Sequence, residues 1–536
     1  MNPSLYLRNW IVPVVFIGIY ALLPNRNPGN DAWAYASAAK WGEELFSPHH
    51  LFYNVPGWIW GKVFGGWKVM EFMQGLNALA AGICLTLCGG LIANRGASNR
   101  VVGLVQALIG STFVVFHYAT ENEAYLLPMV FSLMGLGLVQ ASGVEVSTRR
   151  LLCSGILLAM ATLFHQQHLL SLIAGFGFLM FWGKTSRVNL IGYFLLPALS
   201  LIAALYVFAW QMEPMLANPF QYFFHDFYTG SARWVAGSKH WLLGPVNLIR
   251  IFVYVHGDIL GIFKHHGFLG ITGLVGGVLM MLALGMVLKK YILSIRGNLN
   301  VPIEGRRLNL ISGKTFSGIF PRMFEWVSQL GPRLGIWGFV GLGHLGFALW
   351  FGANHEFMVP LPFLLGIVLG ARVVCYHKPA FIWGLSGMMI WNLVFSGFTQ
   401  RFFTTDPSVS LAQMVQQYPQ ALWVLYDESR IRHILKYYSG EEPHNLLHGP
   451  EWYAETGREV TELSEIIREA LNRDYAVYSD CPNRPRPWNR ASMTRVDSQD
   501  YWQNWETGFV MSIETLTHKY PVFRILPARA DNQVFP

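Results

Sequence analysis

The sequence predicts an α-helical polytopic membrane protein of about eleven transmembrane helices followed by a small C-terminal α/β domain. Three observations carry that prediction. Of 536 residues, 53% are hydrophobic and only 13% charged, a balance foreign to ordinary soluble domains. Apolar stretches of roughly bilayer-spanning length recur near residues 8–24, 68–93, 101–118, 124–143, 150–165, 168–183, 188–211, 266–288, 334–352, 357–375 and 379–398. From about Arg401 onward, charge rises and the apolar runs shorten.

Arg8 precedes an apolar run from Trp10 to Leu23 that is followed by PNRNPGND, with no small-residue cleavage site. This predicts an uncleaved first membrane helix rather than a signal peptide. The fifth and sixth stretches are short and separated only by HQQH. VPGWIWGKVFGGW after Asn54 and IRIFVYVHGDILGIFKHH after Leu248 are apolar but broken by Gly, Pro or charge. Both are expected to lie in the membrane interface, giving interfacial helices near 31–67 and 212–265. The transmembrane part is thus expected over 1–400 and the α/β part over 401–536. In the latter, ALWVLYD, DYAVYSD and PVFRIL read as strands. DESRIRHILKYY, capped by Asp427, and EVTELSEIIREALNR read as helices.

Charge assigns the sides. Arg95 and Arg100, Arg149 and Arg150, Lys184 and Arg187, and the segment from Lys289 to Arg333 fall together under an eleven-span count, and positive loops face the cytoplasm. The last segment holds eight Lys or Arg against two acids, Glu304 and Glu325. The amino terminus is then cytoplasmic, and the C-terminal domain is periplasmic or its equivalent. The absence of an N-x-S/T sequon without Pro favours a bacterial inner membrane.

The net charge of +8 is absorbed by these loops, and no basic module interleaved with aromatics suggests a nucleic-acid partner. No Gly-rich phosphate loop follows a strand. Four of the five cysteines lie in apolar segments, so no disulfide framework is implied, and Cys84 and Cys88 are read as packing residues.

The external side collects most of the boundary acids and histidines, which favours a site there. Asp31 opens the loop DAWAYASAAKWGEELFSPHHLFYN, which also carries Glu43, Glu44, His49 and His50. At a low-dielectric boundary its carboxylate suits a general base; a helix N-cap is the competing reading. TENEAY supplies Glu121 and Glu123, of which at most one is expected to point into a site, since residues two apart do not share a helix face. A solvated turn is the alternative.

HQQH supplies His165 and His168, fit for phosphate, a metal or an acceptor hydroxyl, or else hydrogen-bonded within their own turn. His49 and His50 have the same two readings. With Asp31 and Glu121, His165 would make a divalent site for Mg or Mn. GANHEF supplies Asn354, His355 and Glu356, with His355 as a phosphate contact and a capping turn as the alternative. Fixed positive charge is available from Arg233, Lys239, Arg250 and Lys264, and from Arg401, which also suits a lipid-anchoring role.

A lone acid after the first membrane helix, in the setting GNDAWAYA and followed by a short helical loop with paired acids and histidines, resembles the GT-C superfamily of integral membrane glycosyltransferases. The likeness is to its polyprenyl-phosphate-sugar-dependent mannosyltransferase and aminoarabinose-transferase type. The resemblance implies Asp31 as catalytic base or metal ligand, assistance from an acid of the second external loop, and phosphate contacts near His355 and Arg401. It implies transfer of a sugar from a polyprenyl-phosphate donor to a lipid or glycan acceptor. The DE pair of the protein mannosyltransferases is absent, since Ala32 follows Asp31, which leaves the acceptor class open. An O-antigen polymerase or ligase, or a lipid-linked sugar flippase, would share many of these features. A flippase would place its polar groups at mid-depth on broken helices.

Overall fold

The computed structural model describes residues 9–141, 147–183, 186–213, 217–225, 238–255, 258–297, 332–351, 355–403, 407–450, 452–453, 460–481, 509–517 and 520–527. Each of the eleven apolar stretches folds as helix. The first is α1 (Ile11–Leu22), whose Pro13 sits in the first turn, where no ladder bond is lost. Two shorter helices follow, α2 (Asn30–Trp41) and α3 (Val55–Val63). α2 ends because Gly42 adopts a left-handed conformation, φ 80°, and returns its N–H to the Ala38 carbonyl at 2.8 Å.

The bundle continues with α4 (Val69–Ala93), α5 (Asn99–Ser111), α6 (Phe113–Thr120), α7 (Leu126–Ala141), α8 (Thr148–Phe164) and α9 (Leu169–Trp182). Next come α10 (Arg187–Met212), α11 (Pro219–Phe223), α12 (Ser238–Arg250), α13 (Asp258–His265) and α14 (Gly267–Gly297). α15 (Pro332–Trp350), α16 (His355–Tyr376) and α17 (Lys378–Phe402) complete it. Ser98, Ser147 and Ser186 cap α5, α8 and α10, each accepting a backbone N–H of the first turn.

The chain is a multi-pass membrane protein. Among the described residues, five helices are individually long and apolar enough to cross a membrane: α4, α10, the Gly267–Tyr291 part of α14, α16 and α17. α5 and α6 together make a sixth candidate, bent by 66° at Thr112. The other stretches expected to span fold as shorter helices, or, in α15, contribute a shorter apolar segment.

The bend at Thr112 is built into the bundle. Thr112 is extended, φ −62° and ψ 143°, so Phe113 and Val114 lose their partners in α5. They donate instead to the carbonyls of Phe252 and Ile251 at 3.0 and 3.1 Å. Asn392 of α17 closes the junction. Its amide donates to Ser111 and Phe252 carbonyls at 2.8 and 2.7 Å and accepts from the Tyr254 N–H at 2.8 Å. The segment after α12 is thereby fixed against the broken helix.

The C-terminal part comprises α18 (Ser408–Gln417), β1 (Leu422–Leu425), α19 (Glu428–Ser439), β2 (Leu446–His448), α20 (Val460–Asn472), β3 (Val477–Ser479), β4 (Phe509–Thr517) and β5 (Tyr520–Pro527). The sheet order is β2-β1-β3-β5-β4. β1 is parallel to both neighbours, and β5 is antiparallel to β3 and β4. β1, with a parallel strand on each side, carries a continuous apolar run, LWVL. The sequence signals missed β2, whose three residues are too few to show an alternation, and β4. Asp427 stands at the N-cap position of α19 without the expected side-chain cap bond.

One apolar core fills the helical bundle. A second joins α2 to the C-terminal domain, packing Trp33, Tyr35, Ala36 and Ala39 with Trp423, Ile431, Ile434, Leu435 and Tyr437. The Trp33 ring lies 5.4 Å from that of Tyr437, edge to face, and 6.0 Å from that of Tyr438. Polar contacts surround it. Lys40 Nζ donates to the Tyr437 carbonyl at 2.7 Å, His433 Nδ1 lies 2.9 Å from Asn30 Oδ1, and Lys436 pairs with Glu43, Glu44 and Glu442 at 3.3, 3.7 and 3.1 Å.

Candidate functional site

Asp31 lies in the first turn of α2. The N-cap is Gly29, so the capping reading of Asp31 does not hold. Its carboxylate opens into a cavity of about 450 Å³ shared with His49, His50, Tyr125, His165, Gln166, Gln167 and Glu356. Phe223, Phe224, Phe347, Phe351 and Phe357 supply most of its apolar wall. The side chain is accessible from the cavity yet surrounded by protein, and this desolvation raises its pKa. A carboxylate that is reachable and less acidic than usual suits proton abstraction.

A second cavity, about 470 Å³, adjoins the first through Glu356, which lines both. Its walls carry Arg250, Arg430, His117 and His355, together with Glu121, Glu123, Tyr118, Tyr254, Asn25, Asn27 and Gln400. Cations and imidazoles here come from four separate parts of the chain. Glu356 also receives the Tyr125 hydroxyl at 3.3 Å.

The turn bearing Glu121 and Glu123 is held by a buried polar network. Asn77 of α4 donates to the carbonyls of Glu121 and Glu123 and to the Tyr53 hydroxyl, at 2.8, 2.8 and 2.9 Å. Tyr53 donates in turn to Asn122 Oδ1 at 2.9 Å, and Gln74 donates to the Asn25 carbonyl at 2.9 Å.

The Glu121 carboxylate accepts from Asn25 Nδ2 and from the Asn122 and Gly29 backbone. Burial raises its pKa to about 7 against the pull of these bonds and of Arg430. Glu123 is raised further by burial and by the charges of Asp31, Glu356 and Glu121. The expectation that only one of the pair faces a site fails. Glu121 is extended, φ −109° and ψ 159°, and residues two apart on an extended chain point the same way, so both line the second cavity.

His165 begins the turn between α8 and α9. Its Nδ1 accepts the Gln167 N–H at 3.1 Å, which leaves the proton on Nε2. Burial, with His168, His49 and His344 nearby, lowers its pKa well below the ordinary value, so the ring is neutral. His50 lies 4.5 Å from it, centroid to centroid. His168 is withdrawn from the cavity, buried and within 2.7 Å of Ser132 Oγ.

The three-residue metal set is corrected. Asp31 and His165 line one cavity, Glu121 lines the other, and Glu121 is turned to Asn25 and the backbone. Among the described residues, no group of three or more His, Cys, Asp or Glu is arranged to hold a metal ion. No disulfide joins any of the five cysteines, and Cys84 and Cys88 are fully buried in the α4 packing.

Of the cations named from sequence, Arg250 reaches the second cavity. Lys264 is exposed on α13 and lines neither cavity, while Arg401 stands near Arg26 and lines neither. Arg233, Asn354 and the Lys239 side chain lie outside the described residues. Arg430 was missed, because an arginine in the amphipathic stretch RIRHILK carries no local sign of where its helix docks.

Comparison with solved structures decides the fold. The chain aligns over 97% of its length with 97% of ArnT from Cupriavidus metallidurans bound to undecaprenyl phosphate, at TM-score 0.50 and 11% identity. The chain shares the ArnT fold. Apo ArnT from the same organism aligns at TM-score 0.43 and 12% identity, over 96% of this chain and 97% of that one. The apo oligosaccharyltransferase of Archaeoglobus fulgidus aligns at 0.48 and 14%, over 99% of this chain and 75% of that one. No protein-family model and no curated protein matches the chain.

Proposed function

We propose that this chain is a membrane glycosyltransferase that moves a sugar from a polyprenyl-phosphate donor to a lipid-linked or cell-envelope acceptor on the external face of a bacterial inner membrane. The observation that carries this reading is the adjacency of two cavities. One holds an accessible, desolvated Asp31 among aromatic rings; the other is lined by Arg250, Arg430 and His355. The ArnT-like fold supports it, and the ArnT structure contains undecaprenyl phosphate.

In the reaction, an acceptor hydroxyl attacks the anomeric carbon of the donor sugar. The new carbon–oxygen bond forms as the bond to the phosphate oxygen breaks, inverting the configuration. Asp31 takes the hydroxyl proton as general base. The leaving phosphate gains negative charge, which fixed cations and N–H donors in the second cavity stabilise most where water is excluded. His165, neutral with its proton on Nε2, serves as a hydrogen-bond donor to the bound sugars rather than as a second base. Tyr125 orients Glu356 between the two halves. The C-terminal domain roofs the site by holding α2 against α19.

Asp31→Asn tests the assignment. The amide keeps the shape but cannot accept the proton, so sugar transfer should collapse in a protein that still binds polyprenyl phosphate. Near-normal transfer by the folded variant would remove Asp31 as base.

A further inference from the structure

The far ends of α14, α16 and α17 enclose a groove of a different character. Glu356 of α16 and Gln400 of α17 line the second cavity, whereas the turn joining these helices, Tyr376 to Lys378, lies about twenty residues away along each. At 1.5 Å per helical residue that is roughly 30 Å, the thickness of a bilayer's hydrocarbon core. The turn therefore stands at the opposite membrane boundary from both cavities.

α14 and α17 touch backbone to backbone at mid-length. A Cβ at Gly276 would lie 2.7 Å from the Gly387 carbonyl oxygen, and one at Gly387 would lie 2.5 Å from that of Gly276. Beyond this contact, toward Lys289, the helices and α16 leave an open groove of about 450 Å³ whose apolar walls include Leu284, Val287, Val373 and Phe381. Arg372 and His377 also line it. Lys290 Nζ donates to the carbonyl of Tyr376, the last residue of α16, and lies 4.2 Å from the centre of its ring, which sets a cation at the groove's rim. His377 caps α17 by accepting the Ala380 N–H on Nδ1 at 3.2 Å, so the ring carries its proton on Nε2.

We propose that this groove seats an anionic phospholipid, its acyl chains against Leu284, Val287, Val373 and Phe381 and its headgroup phosphate held by Arg372, Lys290 and His377. Charge selects the occupant. Residues 267–297 and 357–402 contain no Asp or Glu, while Lys289, Lys290, Arg372 and Lys378 gather at this one end. Basic residues that only set topology need no groove beside them. A basic pocket between membrane helices at the headgroup level matches a lipid that is apolar below and anionic above. The exposed Arg372 can lay its methylene stem on the apolar wall and keep its guanidinium at the boundary. This lipid site is remote from both cavities and independent of the glycosyltransferase reading.

The test uses the full-length protein in uncharged detergent, titrated with dioleoylphosphatidylglycerol or dioleoylphosphatidylcholine. Bound lipid is counted by native mass spectrometry, and the melting temperature is read in parallel. The unmodified protein should retain the anionic lipid preferentially and melt higher with it. Arg372→Gln should weaken retention of the anionic lipid by about fivefold and leave that of the zwitterionic lipid unchanged. Arg372→Lys, which keeps the charge, should preserve the preference. Val287→Trp fills the groove without altering charge and should also weaken retention. Arg149→Gln, which removes an exposed cation from a different basic loop, should have no effect.

Equal retention of the two lipids by the unmodified protein would make the groove an ordinary bilayer-facing surface and overturn the proposal. Equal losses in Arg149→Gln and Arg372→Gln would replace the site with diffuse surface charge. Undiminished retention in Val287→Trp would remove the apolar seat. If Arg372→Gln melts early without lipid, Arg372→Lys and Val287→Trp decide, since a preference kept in the first and lost in the second is expected only of a lipid held in this groove.

Discussion

Asn122 reaches back across the chain and donates its side-chain amide to the Ala32 carbonyl at 2.7 Å, tying the acidic turn to the helical turn that carries Asp31. Both groups are fully buried, so the bond has no water to replace it. Asn122→Ala would leave the Ala32 carbonyl and the Tyr53 hydroxyl without this partner, at a cost of about 1–3 kcal/mol. The expected result is a lower melting temperature together with reduced transfer. An unchanged melting temperature would mean that the network adjusts around the gap.

Asp31→Asn should lower the turnover number by about 10²-fold or more, the usual contribution of a general base. In the unmodified protein, rate should fall on acidification as Asp31 takes up a proton, at a pH above the ordinary aspartate range because burial raises its pKa. The variant's residual rate should lack that acid limb. An identical pH profile in both would assign the limb to another group.

Glu121 predicts the pH dependence of stability. Its folded-state pKa is raised from 4.5 to about 7, so the folded chain holds a proton that the unfolded chain releases. Stability from this group is fully present below pH 4.5 and declines as pH rises toward 7, by at most about 1.4 kcal/mol per unit. Glu121→Gln keeps the shape and removes the ionisation, so its melting temperature should be flatter across that window. A slope equal to that of the unmodified protein would show that Glu121 does not titrate there.

Trp33 is the apolar pin between α2 and α19. Trp33→Ala should cost about 3–5 kcal/mol in packing and loosen the C-terminal domain. Limited proteolysis of the variant should release a C-terminal fragment sooner, with transfer reduced in parallel. Protease resistance equal to the unmodified protein would show that the polar contacts alone hold the domain.

Much of the site could be read from residues that interrupt apolar runs. Asp31, His49, His50 and His165 each follow or border such a run, and all four line one cavity. Glu121, Glu123 and His355 line the next. What escaped the sequence depends on tertiary contact. The run over 101–118 reads as one helix, because its break at Thr112 is tolerated only through carbonyls offered by Ile251 and Phe252, more than a hundred residues away. Arg430 and Arg401 look alike as basic residues near apolar neighbours, and only the docking of α19 on α2 separates them. The metal set failed for a related reason: side-chain direction in an extended turn sent Glu121 to a different cavity from Asp31.

The break at Thr112 also bears on which changes the chain can absorb. Loops outside a membrane ordinarily tolerate residues being added or removed. The stretch between Arg250 and Tyr254 does not have that latitude, since two of its carbonyls complete the backbone of α6 and its Tyr254 N–H is held by Asn392. One extra residue there would shift the register of both connections and displace Arg250 with them. The guanidinium in the second cavity is thus indexed to a helix inside the bundle, and the spacing of this connecting segment is set by the helices it packs against.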